Sequence, residues 1–197
     1  MAPSGLVPQR RSLISLIGYR GTGKTTVAKL LAARIGWSWL DADAELERMA
    51  QRTIRDIFAE GGESAFRDWE ASTVVRLVEH SRTVVAWGGG VILRDENRAA
   101  IRRGWVFWLT ADPKTIQARI EGDPITSQRR PNLTVGGGLE EIQRLLSLRE
   151  PLYRDCADFT VDSVRKTPEQ VAGDIVCFLQ QRAVLENPPD PGGEHSL

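Results

Sequence analysis

The sequence is poor in cysteine and has no excess of either charge. Its 197 residues include two cysteines, Cys156 and Cys177, whose spacing fits neither a metal site nor a disulfide framework. So few cysteines suit a reducing compartment. Lys plus Arg and Asp plus Glu each total 26, so the net charge is zero. Domains that bind nucleic acid usually carry a basic excess, and we therefore expect no nucleic-acid partner.

Long apolar segments are also lacking. No apolar run approaches the ~20 residues that a membrane-spanning helix needs, so we expect no membrane partner. The first residues, "MAPSGLVPQRRS", lack the apolar centre of a signal peptide, which favours a cytoplasmic location. The last stretch, "ENPPDPGGEHSL", is rich in Pro and Gly. We expect residues 1–11 and 184–197 to be disordered termini.

Between these ends, short apolar runs alternate with longer amphipathic segments, as expected of one domain over residues 12–183. The apolar runs are continuous rather than alternating, which is typical of parallel strands covered on both faces. The order therefore predicts an α/β fold with a parallel sheet and helices on both sides. The predicted strands are 12–18, 37–41, 83–88, 105–110 and 158–162, and the predicted helices are 24–35, 43–60 with a break, 63–80, 95–103, 112–121, 139–155 and 168–183.

The stretch "GYRGTGKT" fits the phosphate-loop pattern G-x-x-x-x-G-K-[ST] and lies between a predicted strand and a predicted helix. In that context the backbone N–H groups of the loop and the helix N-terminus attract phosphate. Lys24 would reach the terminal phosphates, and the Thr25 hydroxyl would hold Mg²⁺. The loop predicts ATP or GTP binding but leaves the acceptor open. The predicted nucleotide-binding residues are Gly21, Thr22, Gly23, Lys24, Thr25 and Thr26.

Two carboxylates follow the second predicted strand. Asp41 and Asp43 lie where open α/β sheets place their ligands. One could hold Mg²⁺ while the other takes or orients the proton of an attacking hydroxyl. The alternative is an N-cap pair at the start of a helix. Because the third strand lacks the usual acidic end, Asp41 is the nearest candidate for the metal carboxylate.

Glycines and arginines mark further candidates. Three successive glycines, Gly88–Gly90, end the third predicted strand and suggest close backbone approach by a ligand, or else a flexible turn. Arg67 and Glu70 are three residues apart on one predicted helix face, where a weak surface ion pair is the alternative. The aperiodic segment 122–138 is a predicted lid that contains Arg130. Arg149 precedes "EPLYR".

In combination, these motifs resemble those of the shikimate kinases. The resemblance covers roughly residues 12–180 and rests on "GYRGTGKTT", "DAD", "IFAEGGESAFRDWE", "GGG", "RRPNL" and "REPLYR". It implies transfer of the γ-phosphoryl group of ATP to the 3-hydroxyl of shikimate, a step of aromatic amino acid biosynthesis. It also implies the P-loop kinase fold: a five-stranded parallel sheet flanked by helices on both faces, with a substrate-binding helical region and a lid.

The resemblance also implies roles for individual residues. Asp43 would grip the ring hydroxyls and could act as a base, and Glu70 would orient Arg67. Lys24 and the lid residue Arg130 would contact the ATP phosphates, while Thr25 with Asp41 would order Mg²⁺. Lys166 falls where the family places a basic adenine-side contact. The predicted shikimate-binding residues are Asp43, Arg67, Gly88, Gly89, Gly90 and Arg149.

The sequence departs from the family pattern in the lid. Asn132 replaces the first Leu of the usual Arg-Pro-Leu-Leu, and "GDPITSQ" lacks an arginine that some members stack on adenine, although Arg119 is close by. Two alternatives are another small-metabolite kinase, such as a gluconate kinase, and a non-catalytic binding relative. We expect a monomer, since small P-loop kinases need no partner to complete the site.

Overall fold

The computed structural model describes residues 12–122, 138–182, 184 and 185. Its strands are β1 (Leu13–Ile17), β2 (Ser38–Asp41), β3 (Thr83–Ala86), β4 (Trp105–Thr110) and β5 (Phe159–Asp162). They form a parallel sheet in the order β2-β3-β1-β4-β5. The predicted five-stranded parallel sheet is therefore confirmed.

Helices separate the strands along the chain. None of the helices within the described ranges is both long and apolar enough to cross a membrane. A short 3₁₀ turn, Val91–Leu93, follows the glycine stretch. The helices are α1 (Lys24–Ile35), α2 (Ala42–Ala50), α3 (Ile54–Leu77), α4 (Asp95–Ile101), α5 (Pro113–Glu121), α6 (Gly138–Cys156) and α7 (Pro168–Gln181).

The central strand β1 is covered on both faces. Successive strand side chains point to opposite faces of a sheet. Ile14 and Leu16 accordingly pack in a cluster with residues of α1 and α7, whereas Leu13 and Ile17 pack with residues of α3 and α6. The predicted burial on both faces does not extend to the edge strands. β2 has no buried residue, and Trp39 within it is 39% exposed, because only one neighbouring strand shields it.

The helices after β2 differ from the predicted boundaries. α2 ends at Ala50 because Gln51 adopts the left-handed conformation, with φ of 53°. α3 then begins after Thr53, whose side chain accepts a hydrogen bond from the Asp56 amide. The interruption predicted at Gly61 and Gly62 is present within α3, where Gly62 leaves the helical conformation with a φ of 65° and separates two helical segments.

The ends of the three strands β1, β2 and β3 meet at one edge of the sheet. Leu16 is in register with Ala86, and Ala86 is also in register with Asp41. Because parallel strands run in the same direction, their carboxyl ends and the segments that follow them are neighbours. This arrangement brings the phosphate loop, the start of α2 and the glycines Gly88–Gly90 together. The predicted strand ends at Gly18 and Gly88 lie beyond the ladder, in the loops that build this edge.

Candidate active site

The phosphate loop takes the conformation that its glycines predict. Gly18 has a φ of 138°, and a Cβ built on it would overlap with the carbonyl oxygen of Leu109. Gly23, with a φ of 87°, precedes the first residue of α1, and no side chain caps this helix. Backbone N–H groups at such a helix start attract phosphate, and the helix dipole adds to the attraction. The loop therefore has the geometry of a phosphate cradle.

Lys24 folds back over this loop. Its Nζ donates hydrogen bonds to the carbonyl oxygens of Gly18, at 2.9 Å, and Tyr19, at 2.8 Å. The Thr22 hydroxyl donates to the same Tyr19 carbonyl at 2.8 Å. These contacts hold the ammonium group above the loop, where an incoming phosphate could accept from it.

Asp41 is an N-cap, as considered for it, and it also contacts Thr25. Its Oδ1 accepts from the amides of Asp43 and Ala44 at 3.1 and 3.2 Å, so Asp41 is the N-cap of α2. Its Oδ2 accepts from the Thr25 hydroxyl at 2.8 Å. A hydroxyl and a carboxylate so close to a phosphate loop are the oxygen ligands that Mg²⁺ prefers. Within the described residues no group of three or more His, Cys, Asp or Glu could hold a metal, so phosphates and waters would complete the coordination.

Asp43 lies in the first turn of α2 and faces the glycine stretch. It lines a small cavity of about 10 Å³ together with Glu70, Trp87 and Gly88. The cavity thus joins the start of α2, the middle of α3 and the end of β3. Asp43 therefore lies near Glu70, which pairs with Arg67, and near Gly88, one of the predicted shikimate-binding glycines.

Arg67 is buried rather than on the surface, so the alternative of a weak surface ion pair is wrong. Its Nη1 lies 2.7 Å from Glu70 Oε2, and the two side chains are only 10% and 7% exposed. Its Nη2 also lies 2.9 Å from Glu63, the residue after the kink. A Cβ on Gly90 would overlap with the Arg67 guanidinium, so this glycine makes room for the arginine. Burial and two carboxylates fix the direction of the guanidinium.

Arg149 reaches the glycine stretch from the opposite side. It is 7% exposed, and its Nη1 lies 3.5 Å from the carbonyl oxygen of Gly89. Its guanidinium lies over the ring of Tyr19, 5.7 Å from the ring centroid. Burial raises the pKa of the Tyr19 phenol, while the positive charges of Arg20 and Arg149 oppose the increase. Two buried arginines from different helices therefore flank one glycine turn.

The backbone amides of the glycine turn also belong to the candidate site. Gly89 and Gly90 are buried, and neither N–H group donates a hydrogen bond within the described part of the chain. Buried backbone N–H groups are nearly always paired in proteins. Amides without an acceptor between two arginines indicate a site for an anionic ligand.

Sequence reasoning missed two aromatic residues of the site. Tyr153 donates its hydroxyl hydrogen to the carbonyl of Gly89, and Tyr19 lies beneath Arg149. The sequence could have indicated Tyr153, because it follows Arg149 by four residues and therefore shares its helix face. Arg119 contacts the phosphate loop. Its Nη1 donates to the Gly21 carbonyl at 3.3 Å and to the Ser163 hydroxyl at 3.1 Å.

Three predicted positions lie elsewhere. Lys166 is 41% exposed and pairs with Asp174 at 2.6 Å, so its adenine-side role stays a prediction. Arg130 and Asn132, with most of the predicted lid, lie outside the described residues.

Comparisons with known proteins agree with this geometry. A family model described as shikimate kinase matches residues 20–180. The shikimate kinase of Symbiobacterium thermophilum is 41% identical over 170 residues, which cover 86% of this chain and 97% of that protein. The shikimate kinase of Rhodopirellula baltica is 40% identical over 162 residues, which cover 82% and 87% of the two chains.

Solved structures give the same result. The shikimate kinase of Acinetobacter baumannii, in complex with shikimate, superposes with a TM-score of 0.81 at 32% identity, covering 89% of this chain and 96% of that chain. The enzyme of Aquifex aeolicus superposes with a TM-score of 0.74 at 30% identity, covering 87% and 98%. The chain belongs to the shikimate kinase family.

Proposed function

We propose that this chain transfers the γ-phosphoryl group of ATP to the 3-hydroxyl of shikimate, giving shikimate 3-phosphate and ADP. One observation carries the proposal on the acceptor side. Arg67 and Arg149, both buried, flank the Gly88–Gly90 turn, and Asp43 lines a small cavity together with Glu70 and Gly88 of that turn. Shikimate carries a carboxylate on one side of its ring and hydroxyls on the other, which fits this division of charge.

The arginines bind the shikimate carboxylate in this proposal. Guanidinium groups pair with carboxylates through two parallel hydrogen bonds, and the pairing strengthens where water is excluded. Glu70 and Glu63 hold Arg67 in one orientation before the ligand arrives. That preorganisation lowers the entropy lost on binding. The zero net charge of the chain is no obstacle, because two fixed arginines suffice.

Asp43 acts on the reacting hydroxyl. A carboxylate within hydrogen-bonding distance can orient the hydroxyl and accept its proton as the bond to phosphorus forms. Its place in the first turn of α2 is fixed by the hydrogen bond from its amide to Asp41. Asp43 therefore combines substrate binding with general-base catalysis.

The donor side holds ATP. Lys24 exchanges its loop carbonyls for phosphate oxygens and stabilises the transferring group, and Arg130 of the lid contacts the same phosphates. Thr25 and Asp41 would hold Mg²⁺, whose charge neutralises the β- and γ-phosphate oxygens. We also infer that residues 12–183 act as one domain and that the enzyme is cytoplasmic. We infer a monomer, because every residue named for the site comes from one chain.

The test is ADP release by the purified protein with ATP and Mg²⁺, with and without shikimate. We expect release to depend strongly on shikimate. A panel of gluconate and other small hydroxylated acids serves as the matched control, since these carry a carboxylate on a different frame. Faster release with another acid, or none with shikimate, would overturn the proposed acceptor.

A further inference from the structure

Tyr153 is buried beside the glycine turn and is not among the residues proposed to contact ATP or shikimate. It lies on α6 four residues after Arg149, and its side chain is fully buried. Its hydroxyl donates to the carbonyl of Gly89, the same oxygen that Arg149 Nη1 approaches at 3.5 Å. Two donors from one helix thus converge on one peptide of the turn.

The position of the hydroxyl is set by the core. The Tyr153 ring stacks on Trp108 of β4, with ring centroids 5.7 Å apart and ring planes 17° apart. Both rings belong to the cluster that also buries Leu13 and Ile17 of β1. Because stacked rings in a close-packed core have little room to move, the hydroxyl is a rigid anchor rather than a mobile contact.

The phosphate loop supports the opposite side of the same turn. A Cβ built on Gly89 would lie 3.3 Å from both the Gly18 carbonyl oxygen and the Arg20 amide nitrogen. The turn is therefore enclosed between the phosphate loop and α6. The carbonyl of Gly89 and the N–H of Gly90 share one planar peptide and point in opposite directions. An anchor on the carbonyl consequently fixes the direction of the Gly90 N–H, which has no acceptor among the described residues.

We propose that Tyr153 is a positioning residue of the acceptor site. Its hydroxyl holds the Gly89 peptide in one orientation and so keeps in place the carbonyl that Arg149 approaches while this arginine binds the acceptor's carboxylate. This inference rests on the proposed function, because the carboxylate is that of shikimate. Tyr153 itself touches no reacting atom.

The test is Tyr153→Phe, which keeps the ring and its stacking and removes only the donor. We expect the KM for shikimate to rise roughly fivefold to tenfold, the loss expected for one buried hydrogen bond. The KM for ATP should stay within about twofold of the wild-type value, since the hydroxyl donates to the Gly89 carbonyl of the acceptor turn. Isothermal titration with shikimate should show the same loss of affinity.

Cys156→Ala is the matched control. Cys156 is buried on the same helix and in the same cluster as Tyr153, so its truncation also lowers the melting temperature. It should leave the KM for shikimate unchanged. An unchanged KM in Tyr153→Phe, an equal rise for ATP, or the same rise in Cys156→Ala would assign Tyr153 a structural role only and overturn the inference.

Titration of the wild-type protein separates this inference from the proposed function. If the wild type binds shikimate but releases no ADP, the proposed reaction fails, and Tyr153→Phe must still weaken binding. A wild-type protein that binds no shikimate overturns both.

Discussion

The two halves of the site are built in different ways. The donor half is one continuous stretch from Gly18 to Thr25, and its shape comes from backbone conformation and from contacts within the loop, such as those of Lys24 with Gly18 and Tyr19. The acceptor half combines α2, α3, the turn after β3 and α6, and its polar groups are side chains held by burial. Local chain geometry builds the first half, whereas the packing of distant elements builds the second.

This difference has an energetic side. A phosphate loop binds through many backbone amides, so no single side chain apart from Lys24 dominates. The acceptor half relies on two buried arginines, and removing a partner of a buried charge costs several kcal/mol, about 3–5. We therefore expect substitutions in the acceptor half to raise the KM for shikimate strongly and to leave the KM for ATP nearly unchanged.

The largest effect is expected where the two halves meet. Asp43→Asn should lower kcat by about 10²–10⁴-fold, because it removes the proton acceptor. ATP affinity, measured by titration, should stay near wild type. Glu45→Gln is the matched control, since Glu45 is on the same helix but pairs with Arg48 on the surface. Turnover near wild type in Asp43→Asn would exclude a general-base role.

The donor half is tested by Lys24→Met. Loss of the ammonium group should reduce kcat about 10²–10³-fold, as for one lost donor to a developing charge. Shikimate affinity should be unaffected, since Lys24 Nζ donates to the carbonyls of Gly18 and Tyr19 in the phosphate loop. Lys29→Met, on the same helix, should change neither parameter. A matching loss of shikimate affinity in Lys24→Met would mean that the halves are not independent.

The acceptor half is tested by Gly90→Ala. The new methyl group would overlap with the Arg67 guanidinium and displace it. We expect the KM for shikimate to rise about tenfold, equivalent to about 1.4 kcal/mol, with the KM for ATP unchanged. Gly173→Ala is the control, because its methyl group meets only the flexible end of Arg34. An unchanged KM would show that Arg67 does not bind the acceptor in this orientation.

The smallest effect is expected at Lys166. Its ion pair with Asp174 is exposed, and such pairs contribute about 0–1 kcal/mol. Lys166→Ala should therefore change the KM for ATP by about twofold or less and barely alter the melting temperature. A tenfold rise in the KM for ATP in Lys166→Ala, without such a rise in Asp174→Ala, would instead establish an adenine-side contact. Lys166 would then belong to the donor half.

The same contrast explains how much the sequence alone could predict. The phosphate loop and the five strands were predictable because each follows from residues close in the chain. The Thr25–Asp41 pair, 16 residues apart, was predictable because the parallel strands of a sheet end at one edge. The spacing of Arg67 and Glu70 predicted a shared helix face but not its burial, which depends on how α3 packs. The contact of Tyr153 with Gly89 joins residues far apart in sequence, and only the packing of α6 brings them together.

Some boundaries had no sequence signal at all. Gln51 ends α2 in a left-handed conformation, with φ of 53°, that glutamine rarely adopts. Gly61 and Gly62, by contrast, carried a signal in the sequence. Gly62 leaves the helical conformation with a φ of 65°, so α3 is interrupted where the two glycines predicted a break.

The double hydrogen bonding of Asp41 has a consequence for how the reactants are aligned. One carboxylate oxygen contacts the predicted metal ligand Thr25, and the other holds the amide of Asp43. The proposed metal ligand Asp41 and the proposed base Asp43 are thus two residues apart in a single capped turn, where each residue advances about 1.5 Å. The local geometry of this turn would therefore fix the distance between the phosphate donor and the proton acceptor. Movements elsewhere in the protein would not have to set that distance.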